Sequence, residues 1–281
     1  MDLQQNLLTH LNHVARDRDP YFSTEGHFYV QHYIRQQLER WGTVETNEFD
    51  FQGKRHQNLV LNLPSNCPTV ARPPILIGAH YDAVPGTNGA DDNATGVVAL
   101  LELARLFAAT PARFPVRLVA FDLEEFGLLG SQHYARELRQ QQQPLRLMLS
   151  LEMLGYCDRT PHSQTYPPGL KYFYPNRGDF ISFIGNWRTI PDLIRLCDRV
   201  HRAGQVRCRW LPAGNRGAIV PATRQSDHAP FWDQGYPAMM VTDTAFMRNP
   251  HYHKVSDRVE TLDIDFLTGV CRGLADGIQR L

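Results

Sequence analysis

The sequence predicts a three-layer α/β fold, with a central, mostly parallel mixed sheet and helices on both faces. Short apolar runs such as Ile75-Leu76-Ile77-Gly78-Ala79, of the kind that a parallel sheet buries on both sides, recur along the chain. Segments with helical spacing separate them and supply the crossovers that parallel strands need. A length of 281 residues with 42% hydrophobic content is enough for one large core, so residues 1–281 are expected to form a single domain.

Leu3, Leu7, Leu8, Leu11 and Val14 recur at helical spacing. A second helix is expected to begin near Ser23-Thr24-Glu25, to carry Val30, Ile34, Leu38 and Trp41, and to stop at Gly42. Residues 44–51 and 58–63 read as strands, followed by the run at Ile75. The pattern then alternates: helix over 94–109, strand over 116–122, helix over 130–142 and strand over 145–152. Residues 155–187 break it, because Gly155, Pro161, Pro167, Pro168, Gly169, Pro175, Gly178 and Gly185 punctuate a Tyr-rich stretch, which reads as a long surface excursion. Regular structure resumes with a helix over 191–203, a strand over 206–211, a short helix over 227–233, a strand over 237–242 and a closing helix from Asp263.

Lys+Arg 29 against Asp+Glu 29 gives zero formal charge, which excludes counterion-driven binding to nucleic acid as an expected activity. The N-terminus lacks a basic segment followed by an apolar one, and no run of 18 apolar residues occurs, so neither a signal peptide nor a membrane span is expected. Cys67, Cys157, Cys197, Cys208 and Cys271 include no C-x-x-C pair and read as scattered reduced thiols. A cytoplasmic address is the corresponding expectation.

Histidines and carboxylates gather where the predicted strands end: His80 and Asp82, then Glu124 and Glu125, then Glu152. In open α/β sheets ligands bind beyond the carboxyl ends of strands, so these side chains are placed to converge. Asp91 and Asp92 stand just before a predicted helix, and His253 and Asp257 before the last one, in loops that can reach the same edge. A set of imidazoles and carboxylates without thiolate suits Zn²⁺, Mn²⁺ or Co²⁺. Two ions about 3.5–4 Å apart would polarise a carbonyl and acidify a water, the logic of metal-assisted hydrolysis. Glu124 and Glu125 are neighbours, and in extended chain one of them can ligate while the other faces the attacking water.

Gly78-Ala79-His80-Tyr81-Asp82, Gly89-Ala90-Asp91-Asp92-Asn93-Ala94-Thr95-Gly96, Glu124-Glu125-x-Gly127-Leu128-x-Gly130-Ser131, Ser226-Asp227-His228 and His253-x-x-x-Asp257 together resemble the M28 family of zinc metallopeptidases, the aminopeptidase group. Their order and spacing match from about residue 20 onward. The resemblance implies a zinc exopeptidase fold and an enzyme acting on a peptide or small aminoacyl substrate with one or two zinc ions, two being the expected number. It implies that His80 and Glu152 hold one metal, Glu125 and His253 the other, and that Asp92 bridges them. Glu124 would be the general base, Asp82 would orient His80, and Asp257 would support the His253 loop. A cis peptide at Asp92–Asn93 is implied as well.

The chain departs from the family's pattern in two places. Glu152 stands where many relatives have Asp, and Thr223 stands where some have a tyrosine that binds the tetrahedral intermediate. Arg224 and the metals are then candidates for the oxyanion, and His228 is a candidate for the substrate pocket or a cap for the helix it opens. Taken singly, Asp92 reads equally well as an N-cap. Two other outcomes are open. Glutaminyl cyclases share the fold but use one zinc for intramolecular aminoacyl transfer, and some relatives keep the fold as metal-free binding modules.

Overall fold

Alternation along each strand sends successive side chains to opposite faces of one eight-stranded sheet, and two separate apolar cores result. The computed structural model describes residues 2–281. Its strands are β1 (Val44–Phe51), β2 (Lys54–Leu63), β3 (Ile75–His80), β4 (Val116–Phe121), β5 (Leu147–Glu152), β6 (Phe180–Gly185), β7 (Arg207–Pro212) and β8 (Ala238–Thr242). They lie in the order β1-β2-β4-β3-β5-β8-β6-β7. The middle strands β4, β3, β5 and β8 run parallel, while β2 and β6 pair antiparallel against them on either side.

The helices are α1 (Leu3–Val14), α2 (Thr24–Glu39), α3 (Gly96–Ala109), α4 (Leu129–Gln140), α5 (Ile190–Gly204), α6 (His228–Asp233) and α7 (Ile264–Gln279). Ile75, Ile77, Leu118, Leu147 and Leu149 point to the face covered by α1, α3, α5 and α7, where Leu11, Val97, Leu196 and Leu274 meet them. Leu76, Val119, Phe121 and Met148 point the other way, onto Tyr134 and Leu138 of α4 and Phe231 and Trp232 of α6. Full burial of each such side chain contributes about 1.5–3 kcal/mol, so both outer layers are fixed to the sheet by several contacts. The closing helix starts where Asp263 Oδ1 accepts the Phe266 N–H at 2.9 Å, a cap that stabilises by about 1 kcal/mol. Among the described residues no helix is long and apolar enough to cross a membrane.

Two expectations are corrected. The excursion ends in a strand: β6 is buried at all six positions and lies between β8 and β7. Covered on both faces, it shows no alternation, and Gly178 and Gly185 bound the strand rather than break it. The thiols are not all free either. Cys197 on α5 and Cys208 on β7 form a disulfide with Cα atoms 5.4 Å apart, leaving Cys67, Cys157 and Cys271 as free thiols. The turn from α5 back into β7 makes that meeting, which no local cysteine motif announces.

Candidate metal centre

The carboxyl ends of β3, β4, β5 and β8 share one edge of the sheet, and the chemistry-bearing side chains are delivered there. His80 closes β3 and Glu152 closes its neighbour β5. Glu124 and Glu125 follow β4, Asp92 sits in a π-type turn at Ala90–Thr95 ahead of α3, and His253 lies in the loop after β8. The chain turns sharply at each place: Leu123, Met153 and His253 have φ of 56°, 52° and 56°. Left-handed backbone at non-glycine residues costs about 1–3 kcal/mol each and persists where surrounding structure over-determines it. The Asp92–Asn93 peptide is cis.

Six side chains converge. His80 Nε2 lies 3.3 Å from Asp92 Oδ1 and 3.5 Å from Glu152 Oε1. His253 Nε2 lies 3.1 Å from Asp92 Oδ2 and 3.4 Å from Glu125 Oε2. Asp92 thus gives one oxygen to each half, and Glu124 groups with His80 and Glu125. Supporting carboxylates hold the frame. Asp82 accepts the N–H groups of Glu124 and Glu125, both at 3.1 Å, and approaches His80 Nδ1 at 3.4 Å. Asp257 accepts the N–H groups of Asp91 and Asp92 at 2.9 and 3.1 Å, so it braces the Asp92 turn. Glu152 has its second oxygen taken by the Ser226 hydroxyl at 2.7 Å, and Ser226 meets Ser150 at 2.9 Å. That bond leaves the other Glu152 oxygen, Oε1, toward His80.

The electrostatics are those of a site that attracts positive charge. Burial pushes Glu124, Glu125 and Glu152 above the usual carboxylate range, and neighbouring carboxylates add to it. Burial alone would also raise Asp92, but the imidazoles of His253 and His80, each close to one of its oxygens, override it and hold Asp92 low. His80 Nε2 and Glu125 Oε1 are buried without a hydrogen-bond partner. Such orphans are rare in native proteins unless something else satisfies them. The donor atoms also have the right spread. Tetrahedral ligands about 2.0–2.1 Å from a zinc ion stand roughly 3.3 Å from one another, close to the 3.1–3.5 Å separations around Asp92. The residues therefore fit a pair of divalent ions sharing one carboxylate.

A cleft opens beside this cluster, with Asp92, Glu124, Glu125, Glu152 and His253 at one end. Phe180 and Ile184 of β6, Met240 of β8 and Leu211 of β7 form its apolar part, and Tyr166, Pro167, Leu170 and Tyr174 of the excursion wall it. Two sequence candidates do not reach it. His228, the first residue of α6, is buried, its Nε2 donating to the Thr223 carbonyl at 2.8 Å and its ring standing edge-on to Trp232. Burial pulls its pKa down to about 3, so it is a neutral packing group. Arg224 turns outward to pair with Asp233 and the Arg216 carbonyl, each at 2.7 Å. Tyr252 lines the cleft instead, stacked on His253 with ring centroids 3.7 Å apart. Sequence reasoning passed over Tyr252, although a phenol next to a ligand histidine was a visible signal.

Comparison with known proteins bears on the same residues. The model of peptidase family M28 matches residues 58–180, which hold every convergent side chain except His253. The uncharacterized protein YfbL of Escherichia coli is 35% identical over 253 residues, covering 82% of this chain and 73% of its own. The chain belongs to peptidase family M28. Aminopeptidase YwaD of Bacillus subtilis is another relative, 36% identical over 108 residues, 37% of this chain and 23% of YwaD. The M28 fold is shared with LapA aminopeptidase of Legionella pneumophila, at a TM-score of 0.73 and 19% identity over 99% of this chain and 73% of LapA. It is shared equally with a glutaminyl cyclase from Bacteroides thetaiotaomicron, at a TM-score of 0.70 and 17% identity over 99% and 97%. Among M28 structures the backbone alone therefore does not separate hydrolysis from cyclisation, and the side chains must do so.

Proposed function

We propose that the chain is a zinc-dependent aminopeptidase that removes an apolar N-terminal residue from a peptide or small aminoacyl substrate. One observation carries this reading: the cleft presents four carboxylates and a histidine at its polar end, an apolar wall beyond them, and no lysine or arginine. Carboxylate oxygens that the ions leave free can accept from a free α-amino group, whereas an acidic side chain lying along the wall beyond the ions finds no lysine or arginine to pair with. The apolar wall suits the side chain of the departing residue.

His80, Asp92 and Glu152 would hold one ion and Asp92, Glu125 and His253 the second. When bound, zinc would polarise the scissile carbonyl and lower the pKa of the attacking water. Glu124, fixed by the Asp82 bond to its backbone, accepts the proton of the water and returns it to the leaving amine. The Tyr252 phenol is raised far above its ordinary pKa by burial and by Asp92 and Glu125, so it keeps its proton and serves as a hydrogen-bond donor to the developing oxyanion.

The test is a panel of aminoacyl anilides with the zinc-loaded protein. Leucyl, methionyl and phenylalanyl substrates are expected to be cleaved, with glutamyl and N-acetyl-leucyl substrates resistant. Cleavage of the blocked substrate would remove the amino-terminal reading, and conversion of glutaminyl peptides to pyroglutamate without hydrolysis would assign the cyclase chemistry.

A further inference from the structure

Arg18, four residues past the end of α1, is fully buried, and its guanidinium has no carboxylate at ion-pair distance among the described residues. Every donor goes to a backbone carbonyl. Nε donates to Tyr81 at 2.9 Å, Nη1 to Asn88, Arg16 and Val14 at 2.6, 3.1 and 3.3 Å, and Nη2 to Gly89 and Asp92 at 2.9 and 3.3 Å. Tyr81 stands between His80 and Asp82, and Asn88, Gly89 and Asp92 belong to the turn that carries Asp92. One planar fork therefore joins the end of β3 to the Asp92 turn, with the end of α1 as its base.

Isolating a cation this deeply is unfavourable unless charge nearby offsets it. Burial pulls Arg18 down, and the fields of Asp92, Asp257, Asp82 and Glu125 oppose that pull. The turn is drawn tightly onto the guanidinium. Gly89 has φ 48°, and a Cβ there would strike the Asp92 carbonyl oxygen and stand 2.9 Å from Arg18 Nη2.

We propose that Arg18 is a positioning residue of the metal centre: by holding the Tyr81 and Asp92 carbonyls together it sets the separation of His80 and Asp92, and with it the affinity for the ion those two would share. The N-terminal helix, outside the 58–180 family match, is thereby built into the site. This rests on the reading of Asp92 as a ligand.

The experiment is zinc affinity, measured by competition with a chromogenic chelator on Arg18→Met and Arg18→Lys, alongside thermal melts of the metal-free proteins. Leu38→Ala, a core change in α2, is the control for loss of stability alone. Arg18→Met is expected to bind zinc about 10- to 100-fold more weakly, as partners behind metal ligands commonly do when removed. Arg18→Lys is expected to follow in the same direction, because one ammonium does not span both carbonyls, and to shift the visible spectrum of the cobalt-substituted protein. Leu38→Ala is expected to keep wild-type affinity. Wild-type affinity in folded Arg18→Met, or an equal loss in Leu38→Ala, overturns the proposal. If Arg18→Met does not fold, Arg18→Lys decides, and unchanged affinity and spectrum there overturn it. Asp92→Asn separates the two readings: zinc lost there but kept in Arg18→Met refutes the role of Arg18 alone, whereas zinc kept in Asp92→Asn refutes the ligand assignment beneath it.

Discussion

Glu124 and Glu125 are adjacent in the chain yet are assigned different tasks, and substitution separates them. Glu124→Gln keeps the volume and loses the proton acceptor, so turnover is expected to fall about 10²–10⁴-fold with zinc content unchanged by mass spectrometry. Loss of zinc in step with activity would make Glu124 a ligand instead. Tyr252→Phe deletes a single donor, for which a fall of about 10²–10³-fold in kcat with KM nearly unchanged is expected. An unaltered kcat would leave the oxyanion to the metals. The convergence of His80, Asp92, Glu125, Glu152 and His253 was legible because each sits in a short local pattern at the end of a predicted strand or ahead of a predicted helix. The bond of Ser226 to Glu152 was not, since it arises only where distant parts of the chain meet, whereas Tyr252, beside His253 in the chain, was open to reading. Arg224, and the pocket reading of His228, fail for a related reason. A motif gives the neighbourhood of a side chain, whereas its direction depends on partners such as Asp233 and the Thr223 carbonyl.

β6 shows what patterning of a single element can and cannot reveal. Strands β3, β4, β5 and β8 are legible as apolar runs, and β6 has the same kind of run, but it follows a Pro- and Gly-rich stretch that masks its start. The antiparallel pairing of Ser182 with Thr242 and Ile184 with Met240 places the start of β6 at the edge bearing the candidate ligands. The preceding excursion therefore arrives over the cleft, and Tyr166 and Tyr174 form wall rather than linker. Ile184 is where side-chain size in the cleft is best altered. Ile184→Phe fills apolar space, so kcat/KM for phenylalanyl and leucyl substrates is expected to drop at least tenfold relative to alanyl substrate, an effect on the scale of one or two methylenes' worth of pocket fit. A uniform change across the three substrates would place the departing side chain elsewhere.

Metal binding and the stability of the whole chain are linked, because the proposed ligands come from strands and loops that align only in the native state. At zinc a thousandfold above its dissociation constant the gain is about 4 kcal/mol, which for a chain of this size is worth roughly 10 °C in Tm. Chelation should lower the calorimetric Tm by that order, and an unchanged Tm would show that the fold holds no ion tightly. The sheet order carries a consequence for synthesis. β8 lies between β5 and β6, both of which leave the ribosome before it. Until residue 242 has emerged, β6 and β7, with α5 beside them, have no hydrogen-bonded seat on the rest of the sheet. Translation therefore yields two half-sheets with open inner edges, and β8 is the wedge that joins them before His253, some ten residues later, can complete the donor set.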